Sequence, residues 1–432
     1  MFYSGNEDRP HTPKQPPKAT MNQPNMSEAS MPNDTALTSN PPISTGSRRR
    51  FLSIGAQALA SIAVAPLLAT NAKAVPSDTS EESARKSTAT TGAFACTRVL
   101  WNDNDFAVLS SRSLDWFAKQ PERRAASEPK LHVMPRGIRK SGAMFGKELV
   151  VSENPAEWTS RYGSVVVSNL DNSIAEGMNE KGLAAHCLSL GASDYGKRDV
   201  SRQGIQMCLW VPYVLDNAAT VEEAIALLPR IQPVSLTVDG FAMKLSLCIE
   251  DSTGDSAVIE YLNGSPVIHH GRQYRVLTNT VLEEALPLIR SYDFVNATRK
   301  LPLPGNNSSR DRFIRASYYS SFLSRLKPNT LLEAQAALMS VARNVSNPIG
   351  APGDDIGSGD ETDWRTLSDL TNRVYFFESC RGLTVLRTDL SRLDFSAGTG
   401  VRTLDPLNPN LQSDITGLYL PSSIPVPGVV TD

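Results

Sequence analysis

Cys96-Thr97-Arg98-Val99-Leu100-Trp101-Asn102-Asp103-Asn104-Asp105-Phe106-Ala107-Val108-Leu109 reads as a β-hairpin: an apolar strand, an Asx-rich turn, and a return strand from Phe106-Ala-Val-Leu109 that runs on into Ser110-Ser111-Arg112-Ser113-Leu114-Asp115. Such a hairpin returns Arg112 and Asp115 toward position 96. A thiol with a cation and a carboxylate brought back to it is a candidate nucleophile. If the bond between Ala95 and Cys96 is cut, the same residue gains an α-amine with an unperturbed pKa of about 7.7 to 8.0, a base near neutral pH where a lysine at about 10.4 is protonated. Arg112 would favour the thiolate, and Asp115 would orient the amine.

Other hydrolytic signatures are absent from the sequence. There is no His-Glu-x-x-His, Gly-x-Ser-x-Gly or Gly-x-Gly-x-x-Gly, and Gly142-Ala-Met-Phe-Gly146-Lys147 is one residue too short for a phosphate loop. A papain-type pair would need a histidine beside a helical cysteine, whereas Cys96 opens strand-like residues. His132, His186, His269 and His270 are therefore expected as surface or strand residues without a catalytic role. Cys187, Cys208, Cys248 and Cys380 are expected as small buried thiols, and no Cys or His pair has zinc-site spacing. No metal or cofactor is expected.

The chain has 432 residues, 40 % hydrophobic and 20 % charged, with a formal charge of −2. That length can bury one large core. The near-neutral balance offers no broad basic surface for nucleic acid. Ser47-Arg48-Arg49-Arg50-Phe51-Leu52, an uncharged apolar stretch from Ile54 to Ala69, and Ala72-Lys73-Ala74 follow the order of a twin-arginine export signal. The stretch is short and Ala-rich for a membrane span. Four regions are expected: residues 1–46 as a Pro, Ser, Asn and Thr-rich extension without a fold, 47–74 as the signal, 75–95 as a propeptide or linker, and 96–432 as a single domain.

Strands are expected at 164–169, 182–190, 245–249, 256–261 and 275–278, apolar on both faces as in sheets covered by helices. Capping-box spacing opens helices at Thr220-Val-Glu-Glu223 and Thr330-Leu-Leu-Glu333, and 310–326 reads as a third helix. Residues 346–364 read as a long loop, followed by a hairpin of 369–378 and 382–386. Runs of strands, then helices, then strands favour a layered α+β domain over a doubly wound sheet.

Cys96-Thr97 with Arg112-Ser-Leu-Asp115-Trp116, then Gly177-Met-Asn-Glu-Lys-Gly-Leu183, Val276-Leu-Thr-Asn279, and Leu303-Pro-Gly305 with Asp311-Arg312-Phe313 together resemble the choloylglycine hydrolases, the family of penicillin V acylases and bile salt hydrolases. The resemblance runs from Cys96 to about Leu404. It implies an N-terminal nucleophile hydrolase of four-layer αββα fold, in which a matured N-terminal cysteine attacks a linear amide. Carried over by motif, Cys96 is nucleophile and, through its amine, base. Arg112 and Asp115 support it, Asn279 is the side-chain oxyanion donor, Arg312 is the second arginine, and the backbone N–H of Ser189 is the other oxyanion donor. Bile salt hydrolases carry Asn where Ser189 stands, so specificity for a bile salt headgroup is in doubt while catalysis is not.

Trp116, Phe117, Met134 and Arg136 resemble residues of the loops that line the acyl pocket; Arg136, Arg139 and Lys140 either face water, the reading favoured, or meet an acidic leaving portion of the substrate. The pattern most resembles exported Gram-negative members that act on phenoxyacetyl penicillin and long-chain acyl-homoserine lactones. Bile salts are the alternative, and a secreted binding protein without turnover is the alternative of another class. Relatives imply a small-molecule substrate and a homo-oligomer, often a tetramer.

Overall fold

The computed structural model describes residues 95–115, 128–169, 173–238, 241–292, 294, 302–350 and 361–430. The export signal, the expected propeptide up to residue 94, and Trp116 and Phe117 lie outside them. The described residues all fall within one compact unit, Thr79–Asp432.

The opening hairpin is formed by β1 (Ala95–Trp101) and β2 (Leu109–Asp115), paired antiparallel with Ala95 opposite Asp115, Cys96 opposite Leu114 and Arg98 opposite Arg112. Its turn is longer than expected. Asn104 accepts the N–H groups of Phe106 and Ala107 through Oδ1, and Phe106 is exposed, so the return strand starts at Leu109.

β3 (Lys130–Met134), β4 (Ser164–Asn169), β5 (Ser173–Asn179), β6 (Ala184–Ser189), β7 (Leu245–Glu250), β8 (Ser256–Leu262) and β9 (Ser265–His270) form most of a nine-stranded antiparallel sheet. After β10 (Val276–Leu277) come β11 (Thr362–Asp369), β12 (Val374–Ser379) and β13 (Val385–Asp389); β14 (Arg402–Leu404) and β15 (Leu420–Pro421) close the larger sheet in the order β9-β8-β7-β6-β5-β4-β3-β14-β15. The second sheet has six strands in the order β10-β1-β2-β11-β12-β13.

Alternation along the strands builds the layers. On β6, Ala185 and Cys187 face a cluster containing α1 (Trp210–Asn217) and α2 (Val221–Leu227), whereas Ala184 joins the cluster between the sheets with Leu114, Leu131, Val165, Trp364 and Phe377. On the far side, α3 (Ser309–Leu323) and α4 (Leu331–Asn344) pack Phe313, Ala316, Leu338 and Ala342 against Val99, Trp101 and Leu109. The result is helix, sheet, sheet, helix, the expected α+β layering. Thr220 and Thr330 cap their helices as the spacing predicts, accepting the N–H groups of Glu223 and Glu333.

One helix was not anticipated from the sequence, and two readings are corrected. The segment Met207–Asn217 is a 3₁₀ turn followed by α1, nearly all of it buried; Pro212, which reads as a helix breaker in sequence, sits in the first turn of α1, where its missing N–H costs no intrahelical bond. The loop expected to reach residue 364 ends earlier, because Thr362 begins β11 and pairs with Asp115. The strand expected over 369–378 is interrupted by a turn at Leu370–Arg373, where Arg373 has φ +58°. Gly146, at φ +59°, makes the turn between Met144–Phe145 and Glu148–Leu149, a local hairpin in place of a phosphate loop.

Candidate active site

Cys96 lies on the face of β1 that looks toward the larger sheet, and pleat geometry puts Arg112 on the same face of β2. Arg112 Nη2 is 3.2 Å from the Cys96 sulfur and also donates to the Cys187 carbonyl at 3.2 Å. Its guanidinium stacks 4.6 Å from the centre of the Trp364 ring. The Cys96 side chain is buried. Burial pushes the thiol pKa up, as does Asp115, while Arg112, Arg312 and the backbone N–H of Ser189 oppose the rise. With Ala95 still attached the sulfur is a protonated thiol at neutral pH, so a thiolate requires a base as well as the arginines.

Asn279 follows β10 and is fixed by Ser309 at the start of α3, whose hydroxyl accepts the Asn279 N–H at 2.8 Å. Arg312, one turn into α3, donates to the Cys96 carbonyl and the Thr97 hydroxyl, each at 2.7 Å, and to Asn279 Oδ1 at 2.7 Å. It stands 3.8 Å from Asp115 Oδ2. Asp115 Oδ1 accepts the Thr362 hydroxyl at 2.6 Å. Among the described residues its buried Oδ2 has no hydrogen-bond partner. Burial raises the Asp115 pKa, with Arg312, Thr362 and Arg112 opposing.

Arg112, Asp115, Ser189, Asn279 and Arg312 thus gather around Cys96, with Thr362 bonded to Asp115 behind them. The first five are those the motif order nominates. Thr362 carries no motif, and a residue at a loop-to-strand boundary offers no sequence signal for a bond across the sheet.

Of the residues suggested for an acyl pocket, Trp116 and Phe117 lie outside the described residues, and Met134 and Arg136 do not join this group. Met134 is completely buried in the core on the helix side of the larger sheet, and the exposed Arg136 is held by Glu180 through both Nε and Nη2 beside Asp394 and Ser396. The apolar and cationic character that suggested a pocket here is used for packing and a surface ion pair. Lys140 is likewise not in water: it is buried and pairs with Asp216 at 2.8 Å, because the short strand Arg139–Ser141 turns it inward beneath Trp158.

His186 is a strand residue, as expected, but its surroundings were not legible in the sequence. It lies on β6 facing the smaller sheet, with Nδ1 3.2 Å from Glu176 Oε2 and Nε2 2.8 Å from Glu250 Oε1. Burial alone would lower its pKa, but Glu250 and Glu176 raise it to about 9. By contrast His132, between the hydroxyls of Thr403 and Ser168, is pushed down to about 4 by burial. All five cysteines are free; Cys187, Cys208 and Cys248 are buried and Cys380 is partly so.

The Gly177-Met-Asn-Glu-Lys-Gly-Leu183 motif is a folding device. A Cβ on Gly177 would meet the Val165 carbonyl oxygen at 2.5 Å, so the strands can approach only with glycine there. The side chain of Asn179 donates to Leu215 O and Ala218 O and accepts from the N–H groups of Lys181 and Leu183, tying the β5–β6 turn to α1.

Comparison with known proteins agrees with this geometry. The family model described as linear amide C–N hydrolases, choloylglycine hydrolase family, matches residues 96–282 and 288–405. A penicillin V acylase of Pectobacterium atrosepticum is 33 % identical over 350 residues, covering 75 % of this chain and 88 % of that protein. The structure of a penicillin V acylase from Agrobacterium tumefaciens superimposes with a TM-score of 0.61 at 38 % identity, covering 72 % of this chain and 91 % of the other. A variant of the conjugated bile acid hydrolase from Clostridium perfringens shares the fold, with a TM-score of 0.59 at 18 % identity over 72 % of this chain and 96 % of that one.

Proposed function

The chain belongs to the choloylglycine hydrolase family of linear amide C–N hydrolases, and from that premise we propose that Cys96, freed from Ala95, attacks the carbonyl carbon of a linear amide and carries its acyl group as a thioester. The reading is carried by one observation: the sulfur of Cys96 faces Arg112 while the nitrogen of the same residue faces Asn279, each within hydrogen-bonding distance.

In this mechanism the α-amine takes the thiol proton as sulfur bonds to the carbonyl carbon. The resulting oxyanion is held by the Ser189 N–H and by the second N–H of Asn279 Nδ2, whose first is given to Ser189 O at 2.8 Å. Collapse breaks the C–N bond, and the leaving amine takes the proton from the ammonium. Water, deprotonated by the α-amine, then adds to the thioester carbonyl; collapse breaks the C–S bond and releases the acid, and the departing sulfur takes the proton back from the ammonium. Asp115, whose buried Oδ2 makes no hydrogen bond, is the group assigned here to accept the ammonium, and Arg312 keeps the Cys96 carbonyl and Asn279 in register.

The substrate class proposed is phenoxyacetyl penicillin, supported by the relatives at 33 % and 38 % identity that are penicillin V acylases, or a long-chain acyl-homoserine lactone, which rests on the sequence resemblance alone. Conjugated bile salts are the second reading, and Ser189 speaks against a bile salt headgroup. Export by the twin-arginine route, processing after Ala74 and loss of residues 75–95 belong to the same proposal, supported by the Arg48-Arg49-Arg50 sequence and the apolar stretch behind it. The test is intact mass together with chromatographic scoring of penicillin V, a long-chain acyl-homoserine lactone and glycocholate. A chain beginning at Cys96 that hydrolyses the first or second upholds the reading. A chain that keeps its upstream residues, binds these ligands and hydrolyses none would instead be a binding protein.

A further inference from the structure

Between the two sheets, where an apolar core would be expected, runs a connected chain of charged side chains. Arg98 on β1 donates to Glu250 on β7 through Nε at 3.1 Å and Nη2 at 2.7 Å. Glu250 meets His186 on β6, and His186 meets Glu176 on β5. Glu176 lies 3.8 Å from Arg112 Nε on β2, and Arg112 touches the Cys96 sulfur. The Ser110 hydroxyl donates to Glu250 Oε1, the oxygen that also faces His186, and the Tyr375 hydroxyl donates to Glu176 Oε1, the oxygen turned away from His186. Arg98, Arg112, Glu176, His186 and Glu250 are each at most 1 % exposed.

Both ring nitrogens of His186 face carboxylate oxygens, which accept and do not donate, so both must carry protons and the ring is an imidazolium. The cluster then holds three cations, Arg98, Arg112 and His186, against two carboxylates, Glu176 and Glu250. On the other side of Cys96, Arg312 and Asp115 balance each other. One positive charge is left over, in a medium where charge is poorly screened, and it is placed behind the sulfur. Burying ions this way gives little net stability over an apolar core, so its persistence needs another reason.

We infer that Glu176, His186 and Glu250 are positioning residues that hold the Arg112 guanidinium against the Cys96 sulfur and lend it the excess positive charge that stabilises the thiolate. This rests on Cys96 being the nucleophile. Arg112 needs such help: among the described residues its Nη1 and Nε make no hydrogen bond, and its other restraints are the Trp364 face and the Cys187 carbonyl. Groups acting on the cluster from neighbouring strands are Cys248 on β7, Tyr375 on β12 and Asp115 on β2.

The test is the pH dependence of iodoacetamide alkylation at Cys96, followed by peptide mass and compared with wild type in the same cleavage state. His186→Gln removes a positive charge and should raise the midpoint by about one pH unit, with kcat down about tenfold and KM little changed. Glu176→Gln removes a negative charge and should move the midpoint down. Opposite displacements are the signature of charge, which a packing role does not produce. Midpoints that stay at the wild-type value, or move in the same direction, overturn the inference, and if one variant fails to fold the sign of the other decides. Alkylation needs no turnover, so a wild-type protein that hydrolysed no amide would refute the proposed function while leaving this comparison readable.

Discussion

Asn279 Oδ1 accepts the backbone N–H of Cys96 at 2.9 Å across 183 residues of sequence. The orientation of this amide is determined by its partners. Arg312 can only donate and the Ser189 carbonyl can only accept, so Oδ1 must face Arg312 and Cys96 while Nδ2 faces Ser189. One N–H of Nδ2 is thereby left for an oxyanion.

Replacing Asn279 by Ala is expected to lower kcat by roughly 10² to 10³. Steady-state kinetics on penicillin V measures it. A loss of tenfold or less would assign the oxyanion to Ser189 and other donors.

Cys96→Ala should give a folded chain without activity that keeps the residues upstream of position 96. The thiol makes one side-chain hydrogen bond, from Arg112, so the fold should survive its removal. Circular dichroism and intact mass check both parts; a Cys96→Ala chain that still shortens to residue 96 would show that an outside protease makes the cut.

Asn179→Ala strips four backbone groups of their partner at a fully buried position. With about 1 to 3 kcal/mol for each group left unsatisfied, urea denaturation should show a loss of at least about 3 kcal/mol. A change below about 1 kcal/mol would mean that water replaces the side chain.

Lys140→Met should destabilise by about 3 to 5 kcal/mol, because it leaves Asp216 buried without its ion partner. Burial already raises the Asp216 pKa against the pull of Lys140. The double variant Lys140→Met, Asp216→Leu should recover much of that loss in the same denaturation series.

The charged core also makes stability pH-dependent at both ends. His186, whose pKa burial would lower but whose carboxylate neighbours hold at about 9, contributes stability that is complete below its unfolded pKa of about 6.5 and is lost as pH rises through 9. Glu250, which burial would raise but Arg98 and His186 hold at about 2, contributes stability present above about 4.3 that is lost as pH falls toward 2. The Tm difference between wild type and His186→Gln should therefore be largest near pH 6 and shrink by pH 10. A difference that stays constant over that range would mean that His186 does not titrate between the two states.

Local patterning made much of this fold legible. The strand over 164–169 coincides with β4, and capping residues marked the starts of α2 and α4 because caps act within one turn. α1 was missed because Pro212 reads as a breaker, whereas in the fold it occupies the first turn, where no intrahelical N–H bond is needed. Met134 and Lys140 were misplaced for a related reason: an apolar or cationic side chain next to a strand end has the same composition whether it faces a cavity, a core or water. His186 was set aside because one histidine on an apolar strand carries no sign of the two glutamates that flank it, which come from β5 and β7.

The sequence alone determined the pairings that depend on alternation and short range: which strands form, which helices cap, and that Arg112 returns to Cys96 across a hairpin. Tertiary structure alone decided what surrounds Cys96 beyond its hairpin. Asn279 at its N–H, Arg312 at its carbonyl, Thr362 at Asp115 and the Glu176–His186–Glu250 chain behind Arg112 are brought in by strand order, helix packing and sheet stacking, which set distances between residues that are far apart in the chain and that no local pattern encodes.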